Sequence, residues 1–293
     1  MNSSLTIVIP CYNEEKSLPT VVPPLMEFAA QQGFNVIIVN DGSKDNSKSI
    51  LENFAKQFTQ LTVLHHKVNK GYGGAIKTGV AAADTELVIT IDADGQHNLN
   101  DVVAMRDAMM NSEADMIIGA RGTGGSSLFR NTGKWLIRKT ARILIPNKIS
   151  DLNSGIKIYR RELAMKYISL CPDGMAYSDV IALIFINQKH LVSEMKVSIS
   201  HRVAGKSTIG ISTAFDTVRE ILNILMLFNP MRLLMPIAIV LIVASLAWEI
   251  PILVRGDGLS VGALLGIMLG FLCFVIGLLA EQLSKIRQQE IRK

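Results

Sequence analysis

From Val261 to Ala280 the chain runs twenty residues without a charge, and no other feature limits its fold so strongly. As a helix such a stretch spans about 30 Å, the thickness of a bilayer's hydrocarbon core. Leu233 to Trp248 is also uncharged and, after Glu249, stays apolar to Val254. Pro236 and Glu249 make this second stretch the less regular of the two. The short loop Arg255-Gly256-Asp257-Gly258 between them predicts a transmembrane hairpin over residues 231–284. Arg232 and Lys285/Arg287 flank its outer ends while the loop is net neutral, so both termini are expected in the cytoplasm, with a basic tail over 285–293. Gly262, Gly266 and Gly270 recur every fourth residue. They form a smooth face that joins either the two helices or two protomers, so a homo-oligomer stays open.

Upstream, from Ile211 to Leu225, apolar positions follow helical spacing opposite Ser212, Asp216, Arg219, Glu220 and Asn223, until Asn229-Pro230 ends the pattern. An amphipathic helix over 208–230 is expected, lying on the bilayer or packed against the preceding domain. Hydrophobic residues make up 49% of the chain, and the excess lies after residue 230, which accords with a membrane anchor. Cys11, Cys171 and Cys273 are scattered and match no metal spacing, so they are expected as reduced thiols. No basic and apolar leader precedes the first strand, and residues 1–207 are expected to remain cytoplasmic.

Within residues 1–207 short β-branched runs alternate with helical segments. Strands are expected at Leu5 to Ile9, Asn35 to Asn40, Leu61 to Leu64, Glu86 to Ile91 and Met116 to Ala120. Helices are expected up to Gln32, from Asp45 to Gln57 and from Ala75 to Ala83, with Gly33 stopping the first. This alternation predicts an α/β fold with a doubly wound, largely parallel sheet, whose ligands gather at the carboxyl ends of the strands. Pro10-Cys11-Tyr12-Asn13-Glu14, Asp41, and Asp92 with Asp94 all fall there. Asp92, Asp94 and Gln96 offer hard oxygen ligands suited to Mg²⁺ or Mn²⁺ beside a diphosphate. A solvated turn with an Asx cap is the competing explanation for an isolated Asp-x-Asp.

The segments Ile9 to Glu15, Val39 to Ser43, Asn69 to Ala75 and Asp92 to His97, taken in order, resemble the successive signatures of glycosyltransferase family 2. They are most similar to its dolichyl-phosphate mannose synthase and polyprenyl-phosphate glycosyltransferase branch, over roughly residues 5–210. The resemblance implies a GT-A fold with Pro10, Tyr12, Glu14 and Asp41 around the nucleoside. It implies Asp92, Asp94 and Gln96 holding the divalent metal against the donor diphosphate. Packing would equally explain Tyr12, and a favourable charge in a first helical turn would equally explain Glu14. Gly71-Tyr72-Gly73-Gly74 fits neither the dinucleotide nor the P-loop pattern, and close backbone approach before a helix explains it better than a phosphate cradle.

Between Arg121 and Lys148 there are seven basic residues and no acid. Arg130, Lys134, Arg138 and Arg142 would share one face of a helix, as a solvated stripe or as a site for phosphate-rich partners. By resemblance Arg121 and Arg130 are matched to arginines that grip a lipid phosphate, with Lys134 beside them. Asp151, Asn153 and Ser154 stand in a further signature, a turn followed by a strand, and Met175 to Asp179 falls where related enzymes face the sugar. His201 to Ser207 resembles a segment closing over the diphosphate, in which Arg202 and Lys206 neutralise leaving-group charge. A juxtamembrane basic role would also account for that pair.

The resulting expectation is a membrane-anchored, metal-dependent, inverting transferase. It moves a hexose from a UDP- or GDP-sugar to undecaprenyl or dolichyl phosphate at the cytoplasmic face, with Asp94, Arg202 and Lys206 serving the reaction. A processive polysaccharide synthase is disfavoured because neither Trp135 nor Trp248 stands in Gln-x-x-Arg-Trp. A transferase acting on a neutral lipid, and a non-catalytic membrane scaffold that keeps the same domain, stay open as well. The formal charge of +5 does not indicate nucleic acid, because the basic run sits in a chain with a membrane anchor.

Overall fold

The computed structural model describes residues 5–121, 149–198, 222, 226 and 229–292. They belong to two compact units, one holding the described residues up to 198 and the other those from 222 onward.

The first unit is built on a seven-stranded sheet. Its elements are β1 (Leu5–Cys11), α1 (Leu18–Gln32), β2 (Asn35–Asn40), α2 (Ser47–Gln57), β3 (Leu61–His65), α3 (Tyr72–Ala82), β4 (Leu87–Thr90), α4 (Leu99–Asn111), β5 (Met116–Arg121), β6 (Lys157–Arg160), α5 (Arg161–Tyr167), α6 (Tyr177–Asn187) and β7 (Val192–Val197). The order across the sheet is β3-β2-β1-β4-β6-β5-β7. Neighbours run parallel except at β6, which is antiparallel to both β4 and β5. The expected strands and helices are present. Helix α3 begins three residues earlier than the apolar spacing indicates, with Tyr72, Gly73 and Gly74 in its first turn. Helices α4, α5 and α6 and strand β7 have no counterpart among the expected elements.

Strands covered on both faces are continuously apolar. Ile7, Ile9, Ile38, Ile89 and Ile158 join the core cluster with Leu18, Val22 and Leu25 of α1 and Val102, Met105 and Met109 of α4. Val8 and Val39, pointing the other way, meet α3 at Gly79, where an added Cβ would lie 2.4 Å from Val8 Cγ1. Helix α1 stops as expected. Gly33 adopts φ 70°, and the following N–H of Phe34 returns to Ala29 O at 2.9 Å.

The glycine-rich start of α3 is explained by packing on the segment before α6. Gly73 N donates to Gly174 O at 3.2 Å and Gly74 N to Asp173 O at 3.0 Å. Lys77 Nζ donates to Asp173 Oδ1 at 2.7 Å and to the carbonyl of Cys171. Carbonyls of the chain itself thus take first-turn N–H groups of α3 that a phosphate would otherwise use.

In the second unit α7 (Pro230–Arg255) and α8 (Val261–Arg292) are long and apolar enough to cross a membrane. Only 11% and 17% of their most apolar windows are buried, so most of their apolar side chains face outward. Helix α8 continues through the basic residues after 285 to Arg292. The glycine face is used within the hairpin: an added Cβ on Gly270 would lie 2.6 Å from Ile242 Cγ1, and one on Gly266 would strike Ser245 of α7. Glu249, which interrupts the apolar run of α7, is buried. Both its carboxylate oxygens accept from Ser260 N at 3.2 Å, at the start of α8. Of the amphipathic segment expected over 208–230, Leu222, Met226, Asn229 and Pro230 are described; Leu222 and Met226 are helical and exposed.

Gly73→Ala is expected to destabilise the first unit by about 1–3 kcal/mol, because its Cβ would meet Pro172 O at 2.4 Å and Tyr177 Cβ at 2.8 Å. Gly174→Ala has nothing within 4 Å of the new Cβ and should be nearly neutral. Thermal unfolding midpoints of the two variants check this contrast.

Candidate active site

Parallel strands place their carboxyl ends on one edge, and an antiparallel strand contributes its amino end to the same edge. Register makes this explicit. Pro10 pairs with Val39, Thr90 with Lys157, and Ile118 with Lys157. The loops after β1, β2, β4 and β5, the turn before β6 and the first turn of α6 therefore converge.

On the β1–β2 side, loops 11–15 and 41–47 are stapled together. Asn13, at φ 56°, donates from its N–H to Ser43 Oγ at 3.0 Å and accepts from Lys44 N at 2.8 Å. Glu14 N donates to Ser47 Oγ at 2.9 Å, and its carboxylate accepts from Ser17 Oγ at the start of α1. Tyr12 is exposed and Pro10 half-buried on this shelf. Asp41 is buried and heavily committed. Oδ1 lies 2.6 Å from His66 Nδ1 and accepts from Lys70 N at 2.8 Å, and Oδ2 accepts from Gly71 N at 2.8 Å. Its carboxylate shapes the loop from His66 to Gly71, and His66 Nε2 continues to Thr78 Oγ1 at 2.8 Å.

At the centre, Asp92 Oδ1 accepts from Tyr72 Oη at 3.1 Å, and Oδ2 lies 3.7 Å from His97 Nε2. Burial alone would raise the Asp92 pKa. The His97 hydrogen bond and charge, the Tyr72 hydroxyl and the Lys157 charge outweigh it and hold the pKa below the ordinary carboxylate value. Gly155 backs this carboxylate so closely that a Cβ there would lie 2.5 Å from Asp92 Oδ2, while Gly155 O accepts from Thr90 Oγ1 at 2.8 Å. Asp94 is buried and accepts from Gln96 N at 3.1 Å.

These groups fit a hard divalent cation. Asp92 is kept anionic, both side chains are carboxylates that offer hard oxygen atoms, and Gly155 leaves room where any side chain would press on Asp92. Among the described residues no three His, Cys, Asp or Glu side chains gather as a complete metal cage.

On the β5–β6 side Arg121 forks onto Asp151, with Nε at 2.7 Å from Oδ2 and Nη2 at 2.9 Å from Oδ1. The hydrogen bonds that Arg121 donates to Asp151 raise the Arg121 pKa. Burial opposes ionisation of Asp151, but the Arg121 hydrogen bonds and charge keep its pKa low. Asn153 supplies its carbonyl to Arg121 Nη2 at 3.3 Å. Lys157 is fully buried on β6 and donates to the carbonyl of Ser154. Burial draws its pKa down to about 8 against the pull of Asp179 and Asp151. Asp179, in the first turn of α6, is pushed up to about 6 by burial, with Lys157 opposing. Lys157 and Tyr72 have no sequence signal of their own. Lys157 reads as one more residue of a strand, and Tyr72 as part of a glycine-rich turn. Arg130, Lys134, Arg202 and Lys206 lie outside the described residues.

The model of the family described as Glycosyl transferase family 2 matches residues 6–168, more than half of the chain. The chain belongs to glycosyltransferase family 2. The model of the GtrB C-terminal hairpin matches residues 229–286, over α7 and α8. Among similar proteins, the undecaprenyl-phosphate 4-deoxy-4-formamido-L-arabinose transferase of Proteus mirabilis is 27% identical, over 97% of this chain and 89% of its own length. Dolichyl-phosphate beta-glucosyltransferase ALG5A of Trichomonas vaginalis is 29% identical over 54% of this chain, which spans about half (53%) of that relative. Glucosyl-3-phosphoglycerate synthase from Mycobacterium tuberculosis, solved with Mn²⁺, uridine diphosphate and phosphoglyceric acid, superposes with a TM-score of 0.59. Its sequence identity is 15%, with 76% of this chain and 78% of that chain covered. The shared fold is GT-A.

Two outcomes test this geometry. Gly155→Ala should raise the Mn²⁺ concentration needed for half-maximal nucleotide-dependent metal binding several-fold, read by titration calorimetry, because its Cβ displaces Asp92. For Asp179, a folded-state pKa of about 6 against an unfolded value of 3.8 means the folded state holds a proton that the unfolded state has lost between those limits. Stability contributed by this group is therefore present below about pH 4 and lost as pH rises through about 6. Asp179→Asn should flatten that part of the unfolding-midpoint profile.

Proposed function

We propose that the protein transfers a sugar, a hexose in this reading, from a UDP- or GDP-sugar to undecaprenyl or dolichyl phosphate at the cytoplasmic membrane face. The observation that carries the reading is the union, in one family 2 chain, of an acidic GT-A edge with an apolar hairpin matching the GtrB type. Such a chain calls for an acceptor that lives at the bilayer surface, and the names of the similar proteins support a polyprenyl phosphate. The arabinose derivative named for some of them means that the hexose is the finer part of the proposal.

In this reading residues 1–207 form the catalytic domain, 208–230 an interfacial helix, 231–284 the membrane hairpin and 285–293 a cytoplasmic tail. Pro10, Tyr12, Glu14 and Asp41 form the nucleoside shelf. Asp92, Asp94 and Gln96 would hold Mg²⁺ or Mn²⁺, whose charge would stabilise the donor diphosphate. Arg121, Arg130 and Lys134 orient the acceptor phosphate, Arg121 being fixed for this by its fork to Asp151. An oxygen of the polyprenyl phosphate forms a bond to the anomeric carbon from the face opposite the diphosphate. The bond from that carbon to the diphosphate oxygen breaks, and the nucleoside diphosphate leaves with the electron pair, so the configuration inverts. Arg202 and Lys206 take up the leaving charge. A phosphate monoester with a second pKa of about 6 is mostly dianionic at neutral pH and needs no strong general base. Positioning and charge neutralisation are then the main demands.

The test is transfer of radiolabelled sugar into organic-extractable lipid, using purified protein, Mn²⁺, undecaprenyl phosphate and a panel of UDP- and GDP-sugars. One donor should give a mild-acid-labile lipid product. Asp94→Asn should reduce the rate by at least about 10²-fold with the protein still folded and membrane-bound. Wild-type turnover in that variant would remove Asp94 from the mechanism, and no product from any donor would remove the proposed acceptor.

A further inference from the structure

Lys157 is the one lysine or arginine fully buried among the described residues. Its strand sets it at the middle of the catalytic edge, between Thr90 of β4 and Ile118 of β5. An ammonium carries three N–H donors, and the acceptor provided here is the Ser154 carbonyl. Two donors are left in a place shielded from water, where unmade hydrogen bonds are costly. Around it are further groups with unused capacity. Ser154 Oγ is buried without a partner among the described residues, and the Asp179 carboxylate is perturbed by burial and by charges rather than by hydrogen bonds.

Charge decides what would complete this set. Asp179, Asp151 and Asp92 all bear on Lys157, and the neighbouring cation, Arg121, is already forked onto Asp151. A phosphate placed at Lys157 would crowd an anion against three carboxylates. A sugar hydroxyl is neutral; it accepts from an ammonium and donates to a carboxylate at once. Topology agrees with this choice. The proposed nucleoside shelf lies on β1 and β2 and the proposed metal ligands follow β4. Lys157 sits beyond β4 on the side away from the shelf. The part of a nucleotide sugar that reaches past its diphosphate is the glycosyl group.

We propose that Lys157 contacts the transferred sugar, donating from Nζ to its hydroxyl oxygens, and thereby contributes to which sugar is accepted. This rests on the nucleotide-sugar reading above. The experiment is calorimetric binding to the purified full-length protein with Mn²⁺. UDP and GDP are compared with UDP-glucose, UDP-galactose, UDP-N-acetylglucosamine and GDP-mannose, for wild type, Lys157→Met and Lys157→Arg. The expected result is that Lys157→Met weakens the preferred nucleotide sugar about tenfold or more while leaving the free nucleoside diphosphate within about twofold of wild type. Lys157→Arg should alter the order of preference among sugars. Equal weakening of nucleotide and nucleotide sugar, or no change in either, would overturn the assignment. Should Lys157→Met misfold and lose all binding, Lys157→Arg decides, and an unchanged order of sugars in it overturns the proposal. Wild type that binds none of the nucleotides would instead sink the nucleotide-sugar reading itself, a result distinct from a loss confined to the variants.

Discussion

A carboxylate drawn into a protein interior stays ionised only where its surroundings replace the water it has lost. Asp92 meets that condition through groups from four separate places. Tyr72 comes from α3, His97 from the loop before α4, Lys157 from β6, and Gly155 supplies the space. Much of the architecture of the first unit serves to bring these together. Helix α3 must dock closely enough for Tyr72 to reach β4, and β6 must enter antiparallel between β4 and β5 for its amino end to lie at the edge where the parallel strands finish.

The same edge holds a division of labour in charge. On the β1–β2 side Asp41 commits its oxygens to main-chain N–H groups and His66, so it organises the loop from His66 to Gly71. On the β5–β6 side the acids are met by cations: Asp151 by the guanidinium fork, Asp179 and Asp92 by the field of Lys157. Burying such a group of charges is unfavourable for folding unless each is well matched. Matching at Lys157 and Asp179 is partial, and the proposed sugar contact would complete it.

The strands and first helices are legible in the sequence because β-branched runs and Gly33 are local signals, and Glu14, Asp41 and Asp92 follow the exits of β1, β2 and β4. The signature segments at 9–15, 39–43 and 92–97 therefore lead directly to the edge where the structure puts them. The features without a sequence signal depend on pairing across the chain. Strand β7 has the polar and half-buried sequence Val-Ser-Glu-Met-Lys-Val, and only its pairing with β5 makes it a strand. Helix α4 has little amphipathic contrast because it buries Val102, Met105 and Met109 under otherwise mixed residues. Lys157 gives no sign of itself, since burial of a lysine is decided by the three carboxylates that topology brings around it. Glu249 reads as a flaw in a membrane helix when taken alone, and only the fold of the hairpin brings it the N–H of Ser260.

The docking of α3 on residues 171–174 has a practical corollary for anyone recasting this enzyme family. The glycines at 71 and 73 admit the carbonyls of Pro172, Asp173 and Gly174, Gly74 donates its N–H to Asp173 O, and Lys77 fastens the same segment. Neither piece has a correct partner without the other. A chimera that borrows the segment ahead of α6 from a relative, in order to acquire that relative's substrate preference, would meet foreign steric boundaries at α3. The two stretches are one transplantable unit, although about a hundred residues of chain separate them.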